Sequence, residues 1–296
     1  MTSFTPPAQL HYKPGCELKP GMTPPTNAQR WALVVEYLGR DFHGFAKQAT
    51  AAHTVQQVLE TALSKVACED IHLICAGRTD AGVHATGQIV HFDTTCARPN
   101  KAWVLGTNNY LPASIRVHHA QPMPWDFHAR FSAGARTYRY LLAQANVPSA
   151  TLADQISWTR FDLNAKAMQQ ACGFFLGEHD FTSFRAAQCQ AKSPVRTITH
   201  IGLHQVGQLL VLEITANAFL HHMVRNIMGS LIEVGRGARP PGWIAEVLLA
   251  RDRAMAAPKA RASGLYLVGV NYPEVFALPA RAKGPLLLPD ELGGVI

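Results

Sequence analysis

The sequence lacks long hydrophobic runs, although 48% of its 296 residues are hydrophobic. The longest apolar stretches, such as 31–35 and 209–212, are far shorter than the roughly 20 residues that cross a bilayer. The N-terminal segment also has no basic start followed by an apolar run, so no secretory signal is expected. These absences predict a globular, cytoplasmic protein with no membrane partner.

Motifs for metals and nucleotide cofactors are missing as well. The chain has no HExxH, GxGxxG, Walker loop or GxSxG elbow, and its six cysteines form no CxxC pair. The pairs His118-His119 and His221-His222 suggest a metal site, but adjacent histidines on a strand point to opposite faces. We therefore expect no cofactor, no metal and reduced cysteines.

Acidic residues are outnumbered by basic ones. The chain has 27 Lys and Arg against 20 Asp and Glu, which gives a formal charge of +7 and a pI near 9.2. This balance favours a polyanionic partner, and on this ground alone RNA, DNA and acidic membranes all remain open.

Apolar periodicity divides the chain into two α+β halves, 30–128 and 129–275, between a flexible proline-rich extension at 1–29 and a tail at 276–296. We expect each half to form an antiparallel sheet, the two sheets to join into one continuous central sheet, and the helices to cover one face. The tail is expected to be a surface strap or disordered. The predicted strands are 31–38, 71–76, 88–92, 115–119, 137–142, 195–204, 208–216 and 265–270, and the predicted helices are 55–66, 100–111, 162–176, 221–234 and 243–249.

Asp80 lies in the glycine-bearing segment 77–87, which is expected to be an exposed connection between two strands. An Asp with Gly two positions later is ordinary turn chemistry, so a structural turn is the simpler interpretation. A strand-to-loop transition can also hold a carboxylate at the mouth of a cleft, here with Arg78 beside it. A carboxylate fixed next to a guanidinium suits a nucleophile or a base.

Arg136, Tyr138 and Tyr140 alternate along a predicted strand and therefore share one face, with Arg139 on the other. A cation and aromatic rings on one face suit base stacking and phosphate contact. The alternative is that Tyr138 or Tyr140 packs in the core and bonds through its hydroxyl. The pattern leaves both interpretations open.

His221 and Arg225 lie one turn apart on the predicted helix 221–234, near its apolar face. A guanidinium in that position either reaches solvent or pairs with a carboxylate, and we propose Asp80 as the partner. Gly229, one turn further along, would let another backbone approach this helix closely.

The segment Cys75-Ala-Gly-Arg-Thr-Asp-Ala-Gly-Val-His-Ala85 resembles the signature of the tRNA pseudouridine synthase TruA family. Other segments resemble blocks of that family in the same order, and together they cover about 31–273. They are Glu36-Tyr37 with Gly44 and Gln48, Thr54-Val-Gln56, Asp126-Phe-His-Ala-Arg-Phe131, Asp180-Phe-Thr-Ser-Phe184 and Phe219-Leu-His-His-Met-Val-Arg-Asn-Ile227.

The resemblance implies a pseudouridine synthase fold, a homodimer that needs no cofactor, and a tRNA substrate. The implied reaction is the isomerisation of uridine to pseudouridine at positions 38, 39 and 40 of the anticodon stem-loop. Residue by residue, the catalytic aspartate falls on Asp80 and an arginine implicated in base flipping on Arg78. The tyrosine that stacks on the target base falls on Tyr138, and the basic partner of the carboxylate on Arg225.

The chain departs from the family pattern at Leu38, Phe45 and Ala46. We therefore expect loop structure or RNA contact at these positions, rather than activity, to differ from the family. Two rival interpretations remain open. One is a non-catalytic tRNA-binding or chaperone protein. The other is a glycosidic hydrolase, which would usually need a second acidic residue near Asp80.

Overall fold

The computed structural model describes residues 27–48, 53–279, 283–289, 292–293 and 295–296. The predicted extension at 1–29 therefore lies almost entirely outside the described residues. Across the described ranges, every helix is too short or too polar to cross a membrane.

In the part of the chain that the structure describes, ten strands form one sheet. Eight of them are neighbours in the order β4-β1-β3-β10-β5-β9-β8-β7, while β2 pairs with β3 and β6 pairs with β5. The strands are β1 (Gln29–Tyr37), β2 (Leu73–Cys75), β3 (His84–Thr94), β4 (Ile115–Met123), β5 (Ala135–Gln144), β6 (Ser157–Thr159), β7 (Gly177–Asp180), β8 (Val195–Val206), β9 (Leu209–Ala216) and β10 (Leu265–Asn271).

The two halves meet where β10, the last strand of the second half, pairs in parallel with β3 of the first. The register sets Tyr266 opposite His84 and Leu267 opposite Ala85. The prediction of one continuous sheet is confirmed. This junction and the parallel β5–β6 pair make the sheet mixed, whereas the other pairings within each half are antiparallel as expected.

The helices cover one face of the sheet, as predicted. Their buried apolar side chains share a single core with Trp31, Leu33 and Val35 of β1, while the alternate residues Ala32 and Val34 face a separate cluster on the opposite side. The helices are α1 (Val55–Ala67), α2 (Thr107–Tyr110), α3 (Ala165–Cys172), α4 (Met223–Gly235) and α5 (Trp243–Ala250), and a π-helical turn, Ala102–Gly106, precedes α2.

Capping side chains explain where two of these helices begin. Thr54 Oγ1 accepts a hydrogen bond from Gln57 N at 3.3 Å, which starts α1 at the predicted residue. Asn164 Oδ1 accepts from Ala167 N at 3.0 Å and starts α3 later than predicted. After α3 the chain tightens into a 3-10 turn, so the predicted helix 162–176 was too long at both ends.

The prediction that 77–87 is wholly an exposed connection is wrong. Strand β3 begins at His84 rather than at residue 88, and 83–87 are buried. Gly87 suggested a loop, but a Cβ at this position would lie 2.4 Å from Val268 O. The glycine therefore permits close approach of β3 to β10 within the sheet.

The described part of the tail lies against the sheet on the side away from the helices. Leu288 is buried with Leu141 and Tyr266, and Gly284 O accepts a hydrogen bond from Arg139 Nη1 at 2.9 Å. Lys283 Nζ lies 2.6 Å from Glu213 Oε1. The described part of the tail thus makes the contacts expected of a surface strap.

Candidate active site

Asp80 begins a tight turn in the loop between β2 and β3. Val83 N donates to Asp80 O at 3.1 Å, and Gly82 has a φ of +77°, a conformation that favours glycine at this turn position. The turn interpretation of the sequence is therefore correct for the backbone. It leaves the Asp80 carboxylate pointing outward with 24% of its side chain exposed, so the same residue is available for chemistry.

A neighbouring segment fixes the loop from one side. Phe45 N donates to Thr79 O at 3.0 Å. Gly44 has a φ of +91°, and a Cβ there would lie 2.8 Å from the same carbonyl oxygen. A side chain at Gly44 would therefore push the residue before Asp80 out of place.

A buried polar network fixes the loop from the sheet side. Gln88 Nε2 donates to Gly77 O at 2.7 Å and lies 3.3 Å from Tyr37 Oη, which in turn bonds to Thr79 Oγ1 at 2.8 Å. Sequence reasoning gave Gln88 no role at this loop. The position of Gln88 on a buried strand could have indicated this role, because a buried glutamine side chain requires hydrogen-bond partners.

Three basic side chains from the start of α4 surround the Asp80 carboxylate. His221 Nε2 lies 3.2 Å from Oδ1, His222 Nε2 lies 3.4 Å from Oδ2, and Arg225 Nη1 lies 3.4 Å from Oδ2. The amino end of a helix also carries a partial positive charge. The surroundings of Asp80 thus complement a negative charge on the carboxylate.

His221 and His222 both face Asp80, contrary to the expectation that adjacent histidines point to opposite faces. These residues are not on a strand. They lie in the turn that enters α4, where His222 has a φ of +64°, and their ring centroids are 3.9 Å apart. The left-handed backbone turns both imidazoles toward Asp80, a contact that strand periodicity could not predict.

Burial lowers the pKa of His222 to about 4, and the nearby Asp80 only partly opposes this effect. His222 is therefore a neutral imidazole near pH 7. Since a carboxylate oxygen accepts hydrogen bonds, the tautomer that suits the observed contact carries its proton on Nε2.

Arg225 is held in place by the chain that follows α5. Arg225 Nε donates to Ala260 O at 2.9 Å, and Ala260 N donates back to Arg225 O at 2.9 Å. This approach depends on Gly229, because a Cβ there would lie 2.0 Å from Pro258 O. The sequence prediction that another backbone approaches the helix closely at Gly229 is confirmed.

Tyr138 and Tyr140 share a face but differ in their surroundings. Tyr140 Oη bonds to Ser157 Oγ at 2.6 Å and to Arg261 O at 2.9 Å. Tyr140 is thus the tyrosine that packs in the core and bonds through its hydroxyl. The Tyr138 hydroxyl makes no hydrogen bond to any described residue, and its ring meets Phe219 edge to face at 5.0 Å. Burial and the charge of Asp80 raise the pKa of Tyr138. Tyr138 thus lies within electrostatic range of the Asp80 carboxylate, and its hydroxyl has no hydrogen-bond partner among the described residues.

Arg78 is exposed at the edge of the loop. Within the described ranges its guanidinium makes no hydrogen bond or ion pair. Burial raises the pKa of the neighbouring Cys75 thiol to about 12, and the positive charge of Arg78 partly opposes this effect. The structure therefore brings Asp80, Tyr138 and Arg225 together and leaves Arg78 at the solvent side.

Asp80, His221 and His222 offer three potential ligand atoms within 4.8 Å of one another. One carboxylate oxygen and two imidazole nitrogens suit transition metals. However, Arg225 already supplies a positive charge to the same carboxylate. The expectation that no metal is needed stays a prediction.

The sequence that builds this sheet and this carboxylate site matches the family model described as tRNA pseudouridine synthase over residues 33–132 and 171–273. It is 54% identical to the tRNA pseudouridine synthase A of Mannheimia succiniciproducens, over 88% of this chain and 99% of that protein. The tRNA pseudouridine synthase A of Pseudomonas aeruginosa is 53% identical, over 89% of this chain and 94% of that protein. The chain belongs to the tRNA pseudouridine synthase A family.

One solved structure, of a Cbf5-Nop10-Gar1 complex, is similar at 12% identity over 68% of this chain and 45% of that chain. The TM-score of this match is 0.30.

Proposed function

We propose that this chain isomerises uridine to pseudouridine in tRNA, with the carboxylate of Asp80 acting at the ribose of a flipped-out uridine. The observation that supports this most is the position of Asp80. It is partly exposed on a turn held by hydrogen bonds, 3.4 Å from Arg225 and within electrostatic range of Tyr138. Family membership supports the same reaction.

The uridine must leave its stack before a side chain can reach the sugar, which costs a few kcal/mol. The exposed guanidinium of Arg78 is suited to fill the vacated space, since it has no partner within the described ranges and can stack on neighbouring bases. Arg78 is therefore assigned to base flipping and substrate binding.

Asp80 then attacks C1′ and forms an ester to the ribose, or removes a sugar proton to leave a glycal, and the C1′–N1 bond breaks. The detached uracil rotates and C5 bonds to C1′, while the bond from Asp80 to C1′ breaks or the sugar proton returns from Asp80. The C5 proton leaves to water, and N1 gains a proton from water. The product has the same mass as the substrate, so no cofactor, oxidant or reductant is consumed. Tyr138 covers the uracil ring while it is detached and, with Leu265 nearby on the same face, limits access of water.

Arg225 holds the carboxylate in position through a bond network that reaches Ala260. We assign His221 and His222 to the same task, because their Nε2 atoms face the two carboxylate oxygens. The basic partners also argue for isomerisation over glycosidic hydrolysis. Within the described ranges, the group of potential ligand residues whose atoms lie within 4.8 Å of one another at Asp80 contains His221 and His222 and no second carboxylate, whereas a hydrolase usually needs a second acid.

We further propose that the target uridines are at positions 38, 39 and 40 of the anticodon stem-loop, that the active form is a homodimer, and that the protein works in the cytoplasm without a metal. The net charge of +7 supports a polyanionic substrate. The resemblance of the motif blocks supports the target positions and the dimer.

Nucleoside analysis of tRNA treated with wild type and with Asp80→Asn in metal-free buffer tests the proposal. We expect pseudouridine from the wild type and none above background from Asp80→Asn, with comparable tRNA binding by both. If the wild type binds several tRNAs and forms no pseudouridine, the protein is a non-catalytic tRNA-binding protein.

A further inference from the structure

Phe131 is 69% exposed in the loop between β4 and β5. A phenylalanine in water forgoes the roughly 1.5–3 kcal/mol that burial of its side chain provides. A single exposed apolar residue is common on protein surfaces and indicates nothing by itself. The neighbours of Phe131 are what make its position informative.

The loop is built to hold this ring outward. The His128 ring stacks on the Phe131 ring with centroids 4.4 Å apart and an angle of 27°. His128 Nδ1 accepts from the backbone nitrogens of Arg130 and Phe131, both at 3.1 Å. Ser132 N donates to His128 O at 2.9 Å. These local bonds fix the ring in its exposed position before any partner arrives.

Arg136 connects this loop to the segment that carries Asp80. Its Nη2 donates to Arg130 O at 2.7 Å and to Ala76 O at 3.0 Å. Its Nη1 donates to Asn217 O at 3.0 Å, at the end of β9. The Phe131 ring is therefore fixed relative to the start of the loop that presents Asp80.

The surroundings of the ring are basic. The guanidinium carbon of Arg130 lies 5.5 Å from the centre of the Phe131 ring. Arg130 and Arg78 both act electrostatically on the Cys75 thiol, so both charges lie within electrostatic range of the segment before Asp80. An exposed aromatic ring next to guanidinium groups is the arrangement that binds single-stranded RNA, with a base on the ring and phosphates on the cations.

We propose that Phe131, backed by His128 and flanked by Arg130, is a stacking platform for an unpaired base of the RNA substrate near the nucleotide that reaches Asp80. The inference rests on the proposed function, because it takes RNA as the occupant. Its role is to position the substrate, with no part in bond breaking.

The test compares Phe131→Ala and Phe131→Tyr with wild type. We expect Phe131→Ala to weaken tRNA binding and raise KM by roughly 5- to 150-fold, the range for loss of one stacked base, with kcat nearly unchanged. Phe131→Tyr keeps an aromatic face, so we expect affinity within about twofold of wild type. Binding is also measured in the Asp80→Asn background, where no turnover occurs.

Phe161→Ala is the matched control. Phe161 is 40% exposed and is flanked by Arg160 and Arg236, at 6.0 and 5.2 Å from its ring centre, but it lies beside the far end of α4. We expect its tRNA affinity and KM to equal those of wild type. For Arg130→Ala we expect the affinity for tRNA to fall less steeply with salt concentration than in wild type. The difference in slope should correspond to the loss of about one phosphate contact.

Equal tRNA affinity of Phe131→Ala and wild type would overturn the platform. Equal weakening by Phe131→Ala and Phe161→Ala would overturn it too, since the effect would then be unspecific. If Phe131→Ala converts a dimer to a monomer in sedimentation, the ring is a contact between copies of the chain instead. The proposed function fails separately, if wild type forms no pseudouridine.

Discussion

Arg225 Nη1 lies 3.4 Å from Asp80 Oδ2, although the two residues are 145 positions apart and belong to different halves of the chain. The contact forms because the start of α4, in the second half, meets the β2–β3 loop of the first half. The position of the carboxylate thus depends on the assembly of both halves of the sheet.

Arg225→Ala tests the importance of this contact. Loss of a hydrogen bond between charged groups costs roughly 1.5–3 kcal/mol, so we expect kcat to fall by roughly 10- to 150-fold with tRNA affinity nearly unchanged. Arg236→Ala, at the exposed end of α4, serves as the control and should retain kcat. Unchanged kcat in a folded Arg225→Ala variant would remove Arg225 from the site.

Tyr138 is expected to act through its ring. Its hydroxyl has no hydrogen-bond partner within the described ranges, so Tyr138→Phe should leave kcat within about twofold of wild type. Tyr138→Ala removes the cover over the uracil and should lower kcat/KM by roughly 5- to 150-fold. Single-turnover kinetics with both variants provide the measurement. A large loss in Tyr138→Phe would show instead that the hydroxyl takes part in the reaction.

Gly229 is expected to control the position of Arg225 indirectly. A Cβ at residue 229 would collide with Pro258 O at 2.0 Å, so Gly229→Ala should displace 258–260 and lower the free energy of unfolding by about 1–3 kcal/mol. Activity should fall as well, since Ala260 O anchors Arg225.

Gly173→Ala is the control for this substitution. A Cβ at Gly173 meets nothing within 4 Å and its backbone is right-handed, so alanine there should be neutral or stabilising. Chemical denaturation of both variants makes the comparison. Equal stability of the two variants would contradict the close approach at Gly229.

Stability should fall at acidic pH because of His84. Its Nδ1 accepts from Gly39 N at 2.9 Å, and burial lowers the pKa of His84 from 6.5 to about 4. The unfolded chain takes up this proton near pH 6.5, whereas the folded chain resists until about pH 4. The free energy of unfolding is therefore fully retained above about pH 6.5 and falls by on the order of 2 kcal/mol by about pH 5.

Urea unfolding of wild type and of His84→Gln at several pH values provides the measurement. The variant should be less stable at neutral pH and should lose less stability on acidification. The same pH dependence in both proteins would contradict the assignment to His84.

Local sequence signals predicted much of the fold. Thr54 and the apolar spacing after it predicted the start of α1, and the apolar run at 31–38 predicted β1. Asp80 and Arg225 could be paired from the sequence because a guanidinium beside an apolar face needs a carboxylate.

Other features depend on contacts between distant segments. Gly87 suggested a loop, and only the approach of Val268 shows why a glycine is needed within β3. The shared orientation of His221 and His222 follows from a left-handed residue before α4, which the predicted helix 221–234 did not contain. The short strands β6 and β7 were missed because three or four residues are too few for periodicity to show.

Release of tritium from C5 of uridine in tRNA tests the central claim most directly, because joining C5 to the ribose displaces the hydrogen at C5. With the label in the anticodon stem-loop, we expect wild type to release tritium to water in metal-free buffer. Asp80→Asn should bind the same RNA and release none. Release by Asp80→Asn at the wild-type rate, or no release by wild type, would contradict the assignment of Asp80 as the residue that acts at the ribose.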